Sequence, residues 1–74
     1  MYFLCMLHNI GATSADRSMT VDEISRWTAL EPHKIRETLN SLIATHYIEV
    51  ERNSGVEKYN ITVDGIRKVL SMYS

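Results

Sequence analysis

The chain has 74 residues with eight Lys or Arg against nine Asp or Glu, and its formal charge of −1 excludes a globally basic protein. Any affinity for nucleic acid must therefore come from local clustering on one face. At 8.5 kDa it is sized for a single domain, residues 1–74, near the lower limit at which one core suffices and where oligomerisation often adds stability. A 45% hydrophobic and 23% charged composition with one Pro and three Gly argues against disorder. The single cysteine, Cys5, excludes an internal disulfide framework and agrees with a reducing compartment, cytoplasm being the default.

Phe3, Met6, Leu7 and Ile10 fall at i, i+3, i+4 and i+7, which predicts a first helix that Gly11 ends. Tyr2, Leu4 and Cys5 extend its apolar character beyond that stripe. A helix hydrophobic on most sides normally buries more than one of them, so these three residues are assigned to a dimer interface. The apolar opening Met1 to Leu7 is too short to span a bilayer and lacks a basic leader and a cleavage site, so neither anchor nor signal peptide is expected. Residues 11–17 read as a loop, and Ser18-Met19-Thr20 can supply a very short strand.

Thr20-Val21-Asp22-Glu23 matches the capping box, in which the Thr hydroxyl and the Glu carboxylate satisfy exposed backbone N–H groups at a helix start. Val21, Ile24 and Thr28 line one face of this second helix, with Trp27 on its flank, and the run ends around Ala29-Leu30. Glu31-Pro32 then opens a third helix, since Pro is favoured at the first helical position. There Ile35, Leu39, Leu42 and Ile43 predict an inward face. At roughly 100° per residue, His33, Glu37, Asn40 and Ser41 point away from it, and Lys34 and Arg36 stand at its shoulders.

Alternating β-branched and aromatic residues from Tyr47 to Arg52 and from Val56 to Thr62 predict two strands joined by a turn at Asn53-Ser54-Gly55. Thr62 caps a last helix in which Ile66, Val69, Leu70 and Tyr73 share a face. Val69, Met72 and Tyr73 are the second set of expected dimer contacts. The order helix, helix, helix, strand, turn, strand, helix predicts an α+β fold, a winged helix-turn-helix with a three-helix core, a two-stranded β-hairpin wing and a C-terminal helix.

With those residues placed, the chain resembles the winged-helix domains of bacterial and archaeal transcription regulators, notably the multiple-antibiotic-resistance regulator (MarR) type and its small relatives. The resemblance rests on Thr20 to Leu30 with Glu31-Pro32, on Ile35 to Ile48, and on Tyr59-Asn60-Ile61-Thr62-Val63-Asp64-Gly65, which is similar to the family's Tyr-x-Leu-Thr-x-x-Gly pattern. It implies sequence-specific binding of double-stranded DNA by a small homodimer, with a recognition helix at about 32–45 in the major groove and a wing at about 47–62 on the flanking backbone or minor groove. His33, Lys34, Arg36, Glu37 and Asn40 would then face bases or phosphates, and Arg52 to Lys58 would form the wing. At three positions the chain departs from the family. Ala29 stands where Gly is common, so the turn need not be left-handed there. His46 stands where Gly often follows the recognition helix, which means either a strained positive φ or a different exit. Glu37 stands where a basic residue is common.

The expected DNA-contacting set is Arg26, His33, Lys34, Arg36, Glu37, Asn40, Ser41, Arg52, Asn53 and Lys58. Its cations would hold phosphates, Asn40 can pair with adenine and Arg36 with guanine. Interspersed Glu31, Glu37, Glu49, Glu51 and Glu57 weaken that field, which keeps open a winged helix that binds protein and not DNA. Cys5 and His8 at i, i+3 are too few for a metal site, and Cys5 among apolar neighbours reads as an inert buried thiol. No catalytic motif, cofactor motif or small-molecule site is recognisable, so a catalytic role is not expected.

Overall fold

The computed structural model describes residues 2–72. Among them α1 (Tyr2–Asn9), a 3-10 turn (Ala15–Arg17), α2 (Val21–Thr28) and α3 (Pro32–Ala44) precede an antiparallel hairpin of β1 (Ile48–Asn53) and β2 (Val56–Ile61), and α4 (Val63–Ser71) follows. This is the expected winged helix-turn-helix.

α1 buries Phe3, Leu4 and Leu7. It ends at Gly11, whose φ of 90° suits a residue without Cβ. Gly11 N–H and Ala12 N–H close back on the carbonyls of His8 and Leu7, a Schellman ending. The chain then turns so that Ala12 O accepts from Ile61 N–H at 2.8 Å, tying the loop to the end of β2. The short strand expected at Ser18–Thr20 is a single bridge, in which Met19 and Tyr59 exchange backbone bonds of 2.8 and 2.7 Å.

The capping box of α2 is fully formed. Glu23 N–H donates to Thr20 Oγ1 at 3.2 Å, and Thr20 N–H donates to Glu23 Oε1 at 3.0 Å. That backbone bond from Thr20 is the main reason the Glu23 carboxyl titrates below its ordinary value. A depressed native value contributes stability that is present above the ordinary carboxylate range and lost as pH falls through the depressed value. Glu23→Ala should therefore lower stability by about 0.5–1 kcal/mol at neutral pH, with the difference from wild type closing below about pH 4. Thermal melts of both proteins from pH 7 to pH 3 check this, and a gap that widens on acidification would contradict it.

The turn between α2 and α3 corrects one expectation. Ala29 is left-handed, at φ 60°. Only residues 29–31 separate the helices. Ala29 N–H still closes on Ser25 O at 2.8 Å, while Ser25 Oγ donates to Leu30 O at 2.6 Å, so the backbone reverses within this bonded turn despite the methyl group. A left-handed non-Gly residue costs about 1–2 kcal/mol, which the surrounding bonds and packing offset. At the exit of α3, His46 takes φ 66°, the strained alternative of the two left open. His46 N–H bonds Ile43 O and Tyr47 N–H bonds Leu42 O, both at 3.0 Å, so His46 occupies the place glycine takes in a Schellman ending.

Ile24 of α2, Ile35 and Leu39 of α3, Ile48 of β1, Ile61 of β2 and Val69 of α4 meet in the core with Leu4 and Leu7 of α1. Leu42 is buried beside them and Ile43 packs half-buried at the edge. In the hairpin, Asn53 pairs with Val56, leaving a two-residue turn at Ser54 (φ 52°) and Gly55 (φ 80°). Positive φ at both positions matches the right-handed twist of the strands. Ile48, Tyr59 and Ile61 anchor the base of the hairpin, and from Glu49 to Lys58 every residue is exposed.

Tyr59 to Gly65 form one clamp. Asn60, buried, donates its side-chain N–H groups to Glu49 Oε1 and Ile61 O. Thr62 Oγ1 accepts from Gly65 N–H at 3.0 Å and donates to His46 O at 2.7 Å, while Thr62 N–H donates to Tyr47 O at 3.0 Å. Start of wing, end of wing and first turn of α4 are thereby locked together, and this fixes how the hairpin stands relative to α3.

Candidate nucleic-acid interface

Because Ile35, Leu39 and Leu42 face inward, the opposite side of α3 carries His33, Lys34, Arg36, Glu37, Asn40 and Ser41, and all six are exposed. Pro32 at the first helical position starts the helix, and Glu31 precedes it in extended conformation. The outer face is flanked on both sides. Toward the hairpin, Arg36 borders an open cleft of about 340 Å³ between Asp22 at the start of α2 and Gly55 and Glu57 at the wing tip. Toward α1, Glu37 and Ser41 border a shallower depression of about 360 Å³ with Phe3.

The wing carries Arg52, Asn53 and Lys58, all exposed. Arg52 is committed within its own hairpin, since its Nη2 lies 2.9 Å from Glu57 Oε2 across the ladder. That bond and the Glu57 charge hold the Arg52 guanidinium above its ordinary range. Burial raises the Tyr59 phenol, with Glu57 adding to the effect and the nearby Arg36 and Arg52 opposing it. Arg26, on α2, is exposed.

Ion pairing redistributes the mixed charge read from the sequence. His33 Nε2 lies 3.1 Å from Glu37 Oε1, Arg52 pairs with Glu57, and Glu49 accepts from Asn60. Three of the five interspersed carboxylates are thus engaged locally. Arg26, Lys34, Arg36 and Lys58 form no ion pair among the described residues. Among the described residues these four cations stand beside carboxylates that are equally without an ion pair, those of Asp22, Glu31 and Glu51, so the surface keeps the mixed charge read from the sequence.

The residues assigned to a dimer interface divide. Leu4 and Val69 have no exposed surface, because α1 packs against α4 and β2 and these two side chains fill that junction. They belong to the protomer's own core, which corrects their assignment to a partner surface. Tyr2 is 76% exposed and Met72 is 40% exposed, while Cys5 is half-buried at the edge of the core. Tyr73 lies outside the described residues. Leu70, at 55% exposure, extends the apolar surface of α4.

Two features were not singled out in the sequence. Thr20 to Asp22 at the start of α2 border the Arg36 cleft, and the capping box was the signal that a helix terminus stood there. Trp27, which the sequence only placed on the flank of α2, projects from it at 69% exposure. Among the described residues no helix is long and apolar enough to cross a membrane, and no three His, Cys, Asp or Glu side chains converge as a metal site would require.

No protein-family model matches the sequence, and no curated protein does. Solved structures do match. TubR from Bacillus megaterium pBM400 is similar with a TM-score of 0.79 and 23% identity, over 95% of this chain and 78% of that one. The DNA-binding TubR fragment from Clostridium botulinum is similar with a TM-score of 0.82 and 22% identity, over 95% of this chain and 88% of that one. At such identities the likeness shows the fold, and the chain is accordingly a winged helix-turn-helix built as the TubR structures are.

Proposed function

We propose that the chain binds double-stranded DNA sequence-specifically as a small homodimeric transcriptional regulator. The observation that carries this reading is the outer face of α3, which no part of the described protein covers and which bears six exposed polar side chains beside a projecting hairpin. α3 enters the major groove, and the wing rests on the flanking backbone or minor groove. Lys34, Arg26 and Lys58 hold phosphates, and Arg36 and Asn40 reach base edges. The description of the Clostridium botulinum fragment as DNA-binding supports the same use of the fold. The exposed Tyr2, Leu70 and Met72 on the terminal helices support a two-fold partner, as in the MarR type. Two copies would then read half-sites about one helical turn apart.

Fluorescence anisotropy of the intact chain against mixed duplex DNA tests the reading. Affinity should fall more than about tenfold between 50 and 200 mM salt, because each phosphate contact releases counterions, and the stoichiometry should be two chains per site. No binding near 50 mM salt would end the proposal and leave a protein-binding winged helix as the better account.

A further inference from the structure

Glu37 stands almost directly opposite the buried stripe of α3, since roughly 100° per residue separates it by half a turn from Ile35 and Leu39. It is 60% exposed, and among the described residues only one of its oxygens, Oε1, has a partner, His33 Nε2 at 3.1 Å. A carboxylate at the centre of a groove-facing helix is repelled by every phosphate, and a single exposed histidine does not cancel that. We propose that Glu37 reads the amino group of a cytosine in the major groove, with His33 as the positioning residue that aims it. The proposal rests on the DNA-binding reading above.

An ionised carboxylate only accepts hydrogen bonds, and the major groove offers two kinds of amino donor, cytosine N4 and adenine N6. Adenine N6 stands between two acceptors, its own N7 and the O4 of its thymine partner, and both repel a carboxylate. Cytosine N4 has an acceptor on one side only, guanine O6, and the C5–H edge on the other. Guanine and thymine present acceptors themselves. Glu37 is therefore tolerated best over cytosine and penalised over every other base. His33, one turn earlier on the same face, holds Oε1, and Oε2 is the oxygen left for a base. The cations at the shoulders, Lys34 and Arg36, supply the attraction that Glu37 subtracts, so its contribution is discrimination and not affinity.

The test selects binding sites from a random duplex pool with the intact wild-type chain, then with Glu37→Ala, Glu37→Gln, His33→Ala and His33→Gln. Wild type should select a C·G pair at one fixed position of each half-site. Glu37→Ala should leave that position degenerate while binding unselected duplex more tightly. Glu37→Gln should move the preference to adenine, because an amide matches N6 and N7 together. His33→Ala should weaken the preference, and His33→Gln, which keeps an N–H donor, should restore much of it. A direct reading needs no variant: replacing the selected cytosine by N4-methylcytosine should cost wild type about five- to a hundredfold in affinity. A selected site without that cytosine, or the same base preference in Glu37→Ala as in wild type, overturns the proposal while DNA binding stands. Wild-type chain that binds no duplex at low salt overturns both this assignment and the function on which it rests.

Discussion

Gly65→Ala is expected to destabilise the protein by about 2–3 kcal/mol and to lower its melting temperature by about 10–20 °C, as overpacking a tight site in so small a domain does. Gly65 lies in the first turn of α4, where a Cβ would overlap the Tyr47 carbonyl oxygen and Ile61 Cγ2. Neither neighbour can give way cheaply. Tyr47 O accepts from Thr62 N–H at 3.0 Å, so moving it loosens the clamp between the wing and α4. Ile61 is almost wholly buried among core side chains. In an open helical position the same substitution would stabilise by up to about 1 kcal/mol through helix propensity, so the sign of the change isolates the steric contact. Differential scanning calorimetry decides it, and an unchanged or raised melting temperature would mean that α4 does not approach Tyr47 this closely.

Gly65 also shows what kind of information the Tyr-x-Leu-Thr-x-x-Gly resemblance contained. Tyr59, Ile61, Thr62 and Gly65 work inside the protein, as bridge, core, cap and close-approach residues, so the pattern legible in the sequence records how the hairpin is fastened to α3. It says nothing of what α3 touches. Elements defined by local chemistry were readable for the same reason. The Thr20–Glu23 box, Pro32 at the start of α3 and the Ser54-Gly55 turn each rest on bonds or dihedrals set by neighbours in sequence. Periodicity likewise oriented α3.

What escaped the sequence depends on contacts between distant segments. Leu4 lay off the stripe of the first helix and Val69 within that of the last, and both were assigned to a partner, because the mutual packing of α1, α4 and β2 that encloses them is a tertiary fact. Ala29 was read from side-chain preference, whereas the short connection and its hydrogen bonds dictate the left-handed backbone. How the charges of the candidate interface pair was likewise not legible. Cross-strand register delivers Glu57 to Arg52, so one carboxylate and one expected phosphate contact are engaged with each other. Glu37, at a position where a basic residue is common, is paired with His33 one turn earlier on the same helix.

If the unpaired cations carry DNA affinity, Lys34→Ala with Arg36→Ala should weaken binding on the order of a hundredfold at low salt and leave the melting temperature within about 2 °C of wild type. Both side chains are exposed and neither forms an ion pair or side-chain hydrogen bond among the described residues, so their removal takes little from the folded state. Their positions differ in a way the experiment resolves. Lys34, near the start of α3 on the shoulder away from the wing, is a point charge suited to phosphate. Its loss alone should reduce affinity evenly across sequences and flatten the slope of log affinity against log salt by about one per site contacted. Arg36, bordering the cleft between α2 and the wing tip, presents a planar fork suited to guanine O6 and N7. Its loss should reduce affinity for a selected site more than for mixed duplex. Arg36→Lys should recover the salt dependence without recovering the selectivity, since a lysine restores charge and not the fork. Equal losses on both kinds of DNA for both single variants would assign both residues to the backbone and shift base reading to Asn40 and Glu37. Unchanged affinity in the double variant would remove α3 from the contact surface altogether.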